Sequence, residues 1–302
     1  MTEVAVRDEP AILAPQRLGV GRSLAKLCDR SLGAVSPRVA EAIRYSLLGE
    51  GKRMRGTLLL SAFEAAGGSG EAADLAAAIE VVHAYSLVHD DLPCMDDDDV
   101  RRGRPTVHRI YGVATATAAG VTMVPLAARC AAESARALGL DDEAVGAIVV
   151  ELMQASGAGG MIGGQLLDLE GEGRPLALAE LERIHRAKTG ALITAAATLG
   201  GRAASASQVR LEALAQYGAA VGLAFQIADD VLDVTATTDQ LGKTAGRDLA
   251  LQKSTYPALL GVEGAKRRAE ALIDEGCRAL DAVGLLTPSL AQIARFTVER
   301  TS

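Results

Sequence analysis

Residues 90–99 read DDLPCMDDDD, and residues 225–233 read FQIADDVLD. Each acidic stretch follows an apolar run that is compatible with a helix, so we predict that each is presented by a helix. Carboxylates this close together repel one another strongly unless divalent cations lie between them. Mg²⁺ binds through a few carboxylates and completes its shell with water and phosphate oxygens. The two stretches therefore indicate two halves of one metal site for a di- or triphosphate ligand.

The alternative for either stretch alone is a solvated helix end, where Asp complements the helix dipole. In the second stretch, however, the polar side chains recur at three- and four-residue spacings, which places them on one ridge of a helix. These side chains are Gln226, Asp229, Asp230 and Asp233. The shared ridge favours the metal site over a solvated end.

The composition predicts an all-α fold. The 302 residues are 49% hydrophobic but only 3% aromatic, Trp is absent, and Ala, Leu, Gly and Val suit closely packed helices. Gly- and Pro-containing breaks divide the chain into roughly ten or more helices, which suit one large bundle around a deep central cavity. No linker divides the chain, so we expect one domain over residues 1–302, with about the first fifteen residues poorly ordered.

Two helices should carry the acidic stretches. One is predicted from about Glu71 to His89 and ends at Asp90, and the other from about Leu211 to Asp233. Pro93 prevents simple continuation of the first helix. We therefore expect residues 92–95 to form a kink or short loop that returns Asp96 toward Asp90.

Charge and cysteine usage exclude several classes of protein. The net charge is −7, and the nine aspartates of the two stretches account for all of it, so the acidity is local. No basic stripe interleaved with aromatics predicts nucleic-acid binding. Four cysteines without paired spacing suit a reducing compartment. The N-terminal residues have neither a signal peptide nor a membrane span, so we expect a cytoplasmic protein.

Basic residues occur in four short blocks. The blocks are GKRMR at 51–55, RRGRP at 101–105, HRAKTG at 185–190 and LGKTAGRDLALQKSTYP at 241–257. Lys and Arg suit phosphate oxygens, Arg through a bidentate fork and Lys as a point charge. Any one block could be an exposed basic helix end. Together with two acidic stretches, the four blocks predict a diphosphate site.

In this combination and order, the motifs resemble those of the trans-isoprenyl diphosphate synthases, the polyprenyl synthetase family. The resemblance runs from about Ser36 to Arg300 and includes the block GQLLDL, with Gln165 and Asp168. It implies an isoprenoid-synthase fold, usually homodimeric, in which the two acidic motifs face each other across the cavity. It also implies three Mg²⁺ ions, with Mn²⁺ as a possible substitute.

The resemblance further implies a role for each matching residue. Direct metal ligands would be Asp90, Asp96 and Asp229, with Asp91, Asp230 and Asp233 as additional partners. The allylic diphosphate would bind Arg101, Lys188, Thr189, Gln226, Lys243 and Lys253. Isopentenyl diphosphate would bind Lys52, Arg55, His83 and Arg102. The catalytic set would be Asp90, Asp91, Asp96, Arg101, Lys188, Asp229, Asp230 and Lys243.

The implied reaction is a metal-dependent head-to-tail condensation. Ionisation of the allylic C–O bond leaves a diphosphate whose growing charge the metals and fixed cations stabilise. The alkene of isopentenyl diphosphate then attacks the cation, and a proton is lost to the departed diphosphate. His83 lies seven residues before Asp90, on the same helical face, and is interpreted as a phosphate contact and not as a general base.

The resemblance also implies that product length depends on the depth of the apolar cavity below the first motif. Tyr85 lies five residues before Asp90, about 7–8 Å along a helix. It could form the cavity floor or be an ordinary core aromatic. Tyr85 and Ser86 with the long motif DDLPCMD resemble bacterial farnesyl synthases, which favours farnesyl diphosphate as the main product. Geranylgeranyl diphosphate is the alternative.

Two other functions are less well supported. A class I terpene cyclase binds one diphosphate and needs no second cationic pocket, whereas this chain has Lys52, Arg55 and Arg102. A non-catalytic synthase subunit would be expected to lose one acidic motif, and both are intact. The chain departs from the family at Gly56, which replaces a Pro and predicts a more mobile loop, and at Val121, which replaces an Asp.

Overall fold

The computed structural model describes residues 10–235 and 253–299, and within these ranges the protein is an all-α bundle. Twelve α-helices there have eight residues or more, which confirms the predicted fold class. The longer helices are α1 (Ala14–Ser31), α2 (Pro37–Leu47), α3 (Met54–Ala65), α4 (Ala73–Asp90), α6 (Val113–Ala137), α7 (Asp142–Ser156), α8 (Met161–Glu170), α9 (Leu178–His185), α10 (Ala191–Ala203), α11 (Gln208–Thr235), α13 (Val262–Asp281) and α14 (Pro288–Glu299).

Short elements complete the described fold. They are a 3₁₀ turn (Ala11–Leu13), α5 (Val107–Tyr111), a π-helical turn (Arg186–Gly190), α12 (Tyr256–Leu260) and the strands β1 (Val100–Arg101) and β2 (Arg104–Pro105). The two strands form an antiparallel hairpin. Its turn residues, Arg102 and Gly103, have φ angles of 53° and 70°, as the tight hairpin turn requires.

The two helices that carry the acidic motifs lie in the centre of the bundle. Helix α4 packs against α1, α3 and α6, and α11 packs against α10 and α13. Helix α4 is buried on nearly all sides, from Leu75 to Val88, as expected for a helix that is apolar around its whole circumference. The predicted helices at 71–89 and 211–233 are confirmed, with each end shifted by one to three residues.

The loop after α4 folds back as predicted. The backbone N–H of Asp96 donates to the carbonyl oxygen of Asp90 at 2.8 Å, and that of Met95 donates to Leu92 at 2.9 Å. Pro93 lies inside this tight turn, where it cannot extend the helix. The turn brings the backbone of Asp96 to the C-terminal end of α4.

Two segments are long and apolar enough to cross a membrane by length and composition, Val113–Ala137 and Asp142–Glu170. This is weak evidence for a span, because core helices of soluble bundles have the same composition. Both segments contribute fully buried residues to the common core, including Ala116, Met123 and Ile148. Of the two windows, 39% and 33% are buried inside the described structure.

Candidate active site

The acidic side chains of the two motifs differ in burial. Asp90 and Asp96 are partly exposed at the end of α4 and in the loop that follows, whereas Asp91 is buried. On α11, Asp229 is partly exposed while Asp230 and Asp233 are buried, 2% and 4% exposed. The three residues that we predict as direct metal ligands are therefore partly exposed, whereas the three that we predict as additional partners are buried.

Asp90 lies where a negative charge is unfavourable without a counter-ion. The pKa of its carboxyl is raised to about 7, chiefly by burial; Lys188 and Arg101 lower it, and the charges of Asp96 and Asp91 add to the rise. A divalent cation would remove this penalty, and the donor atoms are carboxylate oxygens, which suit hard cations. The residues present therefore fit a divalent metal.

Asp91, which is buried, and Arg101, which is partly exposed, form an ion pair. Nε and Nη2 of Arg101 donate to Oδ1 of Asp91 at 2.7 and 2.6 Å. Burial raises the pKa of Asp91, and the arginine lowers it. Arg101 also lies 3.3 Å from Asp98. The pair ties the hairpin to the end of α4, so Asp91 positions Arg101 beside the acidic motif.

Asp168 on α8 holds two lysines together. Lys188 Nζ lies 2.7 Å and Lys253 Nζ 2.8 Å from the same oxygen, Oδ2 of Asp168. Burial would raise the pKa of Asp168, but the two lysines hold it down to about 2. Gln165, one turn earlier, donates to Asp96 at 3.4 Å. The GQLLDL motif therefore positions two predicted diphosphate ligands and contacts the first acidic motif.

Lys188 and Thr189 belong to the π-helical turn Arg186–Gly190, an irregularity that is frequent at functional sites. Thr189 Oγ1 donates to Oε1 of Gln226 at 2.9 Å, and Nε2 of Gln226 donates to Asp230 at 3.2 Å. The hydrogen bond between Thr189 and Gln226 brings together two predicted ligands of the allylic diphosphate, from α11 and from the turn before α10.

Asp230 is held by protein groups on several sides. Besides Gln226, the backbone N–H of Tyr256 donates to its Oδ2 at 3.0 Å, and Nε2 of His185 lies 3.3 Å from the same oxygen. The sequence predicts Asp230 in the catalytic set. The described contacts indicate a positioning function, because they fix α11 against the end of α9 and against α12. His185 and Tyr256 are members of the site that the sequence does not reveal.

A second cluster is strongly cationic and surrounds His83. Burial lowers the pKa of His83 well below its usual value, and the charges of Arg55, Arg102, Arg101 and Arg53 lower it further. The imidazole is therefore neutral at pH 7. Burial also lowers the pKa of Arg55 to about 10, against the attraction of Glu80. Nε of Arg55 has no hydrogen-bond partner among the described residues.

The cations of this cluster outnumber the one carboxylate, Glu80, that influences both Arg55 and Arg102, so the cluster favours a further anion. Three of the residues predicted for isopentenyl diphosphate, Arg55, His83 and Arg102, are brought together here, and Arg53 is an addition that the sequence alone does not single out. Arg53 adopts φ 48° before α3 and donates to the carbonyl of Leu47 at 2.8 Å. The arrangement fits a pocket for a multiply charged phosphate group.

Lys52 lies beside this cluster in sequence but contacts an apolar surface. Its Nζ is 5.5 Å from the ring centroid of Phe296 on α14. Lys52 also lines a small, partly open pocket with Met54, Thr57 and residues of the N-terminal segment and α14. Its predicted contact with isopentenyl diphosphate stays a prediction.

The glycine-containing loop before α3 packs against the hairpin. Arg102 Nη1 donates to the carbonyl of Glu50 at 2.8 Å, and a Cβ added at Gly51 would lie 2.5 Å from that nitrogen. Gly56 lies inside α3 and is buried, so the expected mobile loop is not found there. Its backbone N–H donates to Glu80 at 2.9 Å, a bond that the family's usual proline could not make.

The acidic run offers a further group of possible ligands. One atom each from Asp97, Asp99 and His108 lie within 4.8 Å of one another, so the described residues include an Asp-rich group able to hold a metal ion. Asp99 also forms an ion pair with Arg109. His108 is buried and is not among the residues predicted from sequence. Lys243, which is predicted, lies outside the described residues.

Residues predicted to control product length lie directly below the first motif. Tyr85 is 8% exposed, and its ring meets that of His89 edge to face, with centroids 4.6 Å apart. Ser86 is also buried, and its hydroxyl donates to the carbonyl of His83 at 2.8 Å. Val121, which replaces the family's Asp, is 59% exposed on α6.

Comparison with known proteins identifies the family. The profile of the family described as Polyprenyl synthetase matches residues 36–282. This chain belongs to the polyprenyl synthetase family. It is a prenyltransferase, as the motifs predict, and the resemblance found in the sequence is confirmed.

Individual members of the polyprenyl synthetase family are similar over most of their length. Farnesyl diphosphate synthase of Escherichia coli (strain K12) is 45% identical over 267 residues, 87% of this chain and 89% of that protein. A chloroplastic geranylgeranyl pyrophosphate synthase of Capsicum annuum is 42% identical over 262 residues, 86% of this chain and 70% of that protein.

Solved structures of the polyprenyl synthetase family share the fold. An FPP/GFPP synthase from Zymomonas mobilis has a TM-score of 0.83 at 34% identity, covering 95% of this chain and 99% of that one. A geranylgeranyl pyrophosphate synthetase from Pyrococcus horikoshii Ot3 has a TM-score of 0.82 at 30% identity, covering 96% and 98%. The predicted isoprenoid-synthase fold is confirmed.

Proposed function

We propose that this prenyltransferase condenses isopentenyl diphosphate with dimethylallyl and then geranyl diphosphate to give farnesyl diphosphate. The observation that carries the proposal is the presence of two separate groups of cations. One lies around His83, with Arg55 and Arg102, and the other joins Lys188 and Lys253 through Asp168. Two groups suit two diphosphates, whereas a terpene cyclase binds one.

The metal part of the proposal is a set of three Mg²⁺ ions, with Mn²⁺ as a substitute. Asp90, Asp96 and Asp229 would bind them directly, with Asp91 and Asp233 as further partners. When bound, the ions neutralise charge on the diphosphate as the allylic C–O bond breaks. Support comes from the oxygen-only donors and from the burial that raises the pKa of Asp90 to about 7.

The residues of the chain bind and orient the substrates. The allylic diphosphate is proposed to contact Arg101, Lys188, Thr189, Gln226, Lys243 and Lys253. Because Asp168 holds two of these lysines at one oxygen, their ammonium groups are positioned before the substrate arrives. Such preorganised cations stabilise the diphosphate as its charge grows. Isopentenyl diphosphate is proposed to contact Lys52, Arg55, His83 and Arg102, which would hold its alkene toward the allylic carbon.

Product analysis tests the reaction and its length specificity together. Purified protein is incubated with isopentenyl diphosphate, Mg²⁺ and either dimethylallyl or geranyl diphosphate, and the dephosphorylated products are separated by size. A C15 alcohol as the main product supports the proposal. A C20 alcohol would favour the geranylgeranyl alternative, which the similarity to the Capsicum annuum protein also supports. Cyclised hydrocarbons would indicate a cyclase.

We further propose that the whole chain is one domain and forms a cytoplasmic homodimer. Helix α6 begins beside exposed Ile110 and presents Val113, Val121 and Pro125, which are eight and four residues apart, on an exposed ridge. A second copy would cover this apolar ridge. Light scattering during size-exclusion chromatography should give twice the mass of one chain. A monomeric wild-type protein would contradict the proposal.

A further inference from the structure

The imidazole of His89 is confined between two helices, one residue before the first acidic motif. On its own helix the ring meets Tyr85, one turn earlier, at a centroid distance of 4.6 Å and an interplanar angle of 64°. On α6 it faces Gly120. A Cβ added at Gly120 would lie 2.2 Å from Nε2 and 2.3 Å from Cδ2 of His89. The absence of a side chain at Gly120 therefore makes the space that the ring occupies.

Only one side of the His89 ring is held by a hydrogen bond within the described part of the chain. The backbone of Thr117 hydrogen-bonds to the imidazole, and Nε2 is buried without a partner among the described residues. Burial lowers the pKa of His89, and the Thr117 bond opposes that shift without overcoming it. The ring is neutral at pH 7. Its position is therefore determined by one hydrogen bond on α6 and by packing against Gly120 and Tyr85.

From these contacts we infer that His89 and Gly120 are positioning residues that set product length by holding the ring of Tyr85. The inference rests on the proposed function, in which Tyr85 forms the floor of the product cavity. Edge-to-face aromatic contacts have a preferred geometry, so the orientation of Tyr85 depends on where His89 lies. Because α6 supplies both Thr117 and Gly120, the floor is anchored to a second helix and does not depend on α4 alone.

Removing the His89 ring tests this dependence. With dimethylallyl diphosphate, isopentenyl diphosphate and Mg²⁺, His89→Ala should raise the C20-to-C15 product ratio about 2- to 12-fold, the equivalent of 0.5–1.5 kcal/mol for an edge-to-face pair. His89→Phe keeps a ring of similar shape beside Tyr85 and should retain nearly the wild-type ratio. The KM for isopentenyl diphosphate should change by less than about twofold in both variants, because neither touches a charged ligand.

Gly120→Ala tests the contact from the other helix. The added methyl group collides with the His89 ring, so the ring must turn and the product ratio should change. In the His89→Ala background the collision is absent, so Gly120→Ala should have little further effect on the product ratio. Such non-additive effects of the two substitutions would show that the two residues are directly coupled. Gly146→Ala on α7 is the matched control, since a Cβ there meets no atom within 4 Å. It should leave the ratio unchanged.

The outcomes separate this inference from the proposed function. If Tyr85→Ala lengthens the product but His89→Ala does not, the positioning inference is wrong and the floor assignment stands. If Tyr85→Ala also leaves the product unchanged, the floor assignment fails and the inference fails with it. Should His89→Ala not fold, as judged by circular dichroism and thermal melting, His89→Leu fills the space without a ring edge and must give the same lengthening.

Discussion

Individual charged side chains in this site are held by partners that do not themselves bind the substrates. Asp168 fixes two lysines, Asp91 fixes Arg101, and Asp230 joins α11 to α9 and α12. The sequence marks most of these residues as acidic without distinguishing ligands from positioning residues. Burial separates the two predicted groups within the motifs, because Asp90, Asp96 and Asp229 are partly exposed while Asp91, Asp230 and Asp233 are buried.

The first prediction concerns the metal ligands. Asp90→Ala and Asp229→Ala should each reduce kcat by several orders of magnitude, because each removes an oxygen ligand from ions that stabilise the leaving diphosphate. Steady-state assays with saturating Mg²⁺ check this, and addition of excess chelator should abolish wild-type activity. Asp97→Ala, in the same acidic run, is the control and should cost far less. A near-normal rate for Asp90→Ala, or a greater loss for Asp97→Ala, would move the metal to the group of Asp97, Asp99 and His108.

The second prediction concerns the ion pairs of Asp168. Its folded pKa of about 2 lies below the ordinary value of 3.8, so its ionised form stabilises the folded protein above pH 4 and loses that effect as the pH falls toward 2. The shift in pKa corresponds to a contribution to the free energy of unfolding of about 2 kcal/mol at pH 7 and roughly half of that at pH 3. Urea unfolding of wild type and Asp168→Asn should show a difference in unfolding free energy that shrinks accordingly. A difference that does not depend on pH would contradict the ion-pair explanation.

At the scale of helices and turns, sequence patterns predict the elements better than their irregularities. The apolar runs predict α4 and α11 to within three residues, and Pro93 predicts the loop that returns Asp96 to Asp90. The π-helical turn at Arg186–Gly190 has no such signal, because a single extra residue per turn leaves the hydrophobic period almost unchanged. The sequence also does not predict that Gly56 is buried inside α3. Its burial depends on contacts with Val20 and Ala76, which lie on two other helices.

The third prediction concerns the cationic pocket that α3, α4 and the hairpin build together. Arg55→Ala should raise the KM for isopentenyl diphosphate about 10- to 100-fold, as expected for loss of a charge-assisted hydrogen bond, and should change the allylic KM much less. Initial rates with one substrate saturating at a time separate the two constants. Arg44→Ala, which removes an exposed arginine paired with Asp29, should change neither. Equal effects of Arg55→Ala on both KM values would show that the pocket is wrongly assigned.

For the whole molecule, the class of fold is more predictable than the depth of its cavity. Composition and helical periodicity identify an all-α bundle, and the order of the motifs identifies the family. The volume below the first motif depends instead on how α4 packs against α6, which involves residues far apart in sequence, such as His89 and Gly120. No local pattern encodes such a contact, so product length is the least predictable property.

The fourth prediction concerns that depth. Tyr85 is buried on α4 about 7–8 Å below Asp90 along the helix axis. If its ring ends the cavity, Tyr85→Ala removes a wall without altering any charged residue of the site. The product should then lengthen by one or more five-carbon units, while the KM values of both diphosphates change little. Product sizing with dimethylallyl diphosphate as starter measures this.

Tyr85→Phe is the control and should keep the wild-type length, because the ring and not the hydroxyl fills the space. If the wild-type enzyme already makes the C20 product, or if Tyr85→Ala leaves the distribution unchanged, a residue deeper between α4 and α6 must end the chain.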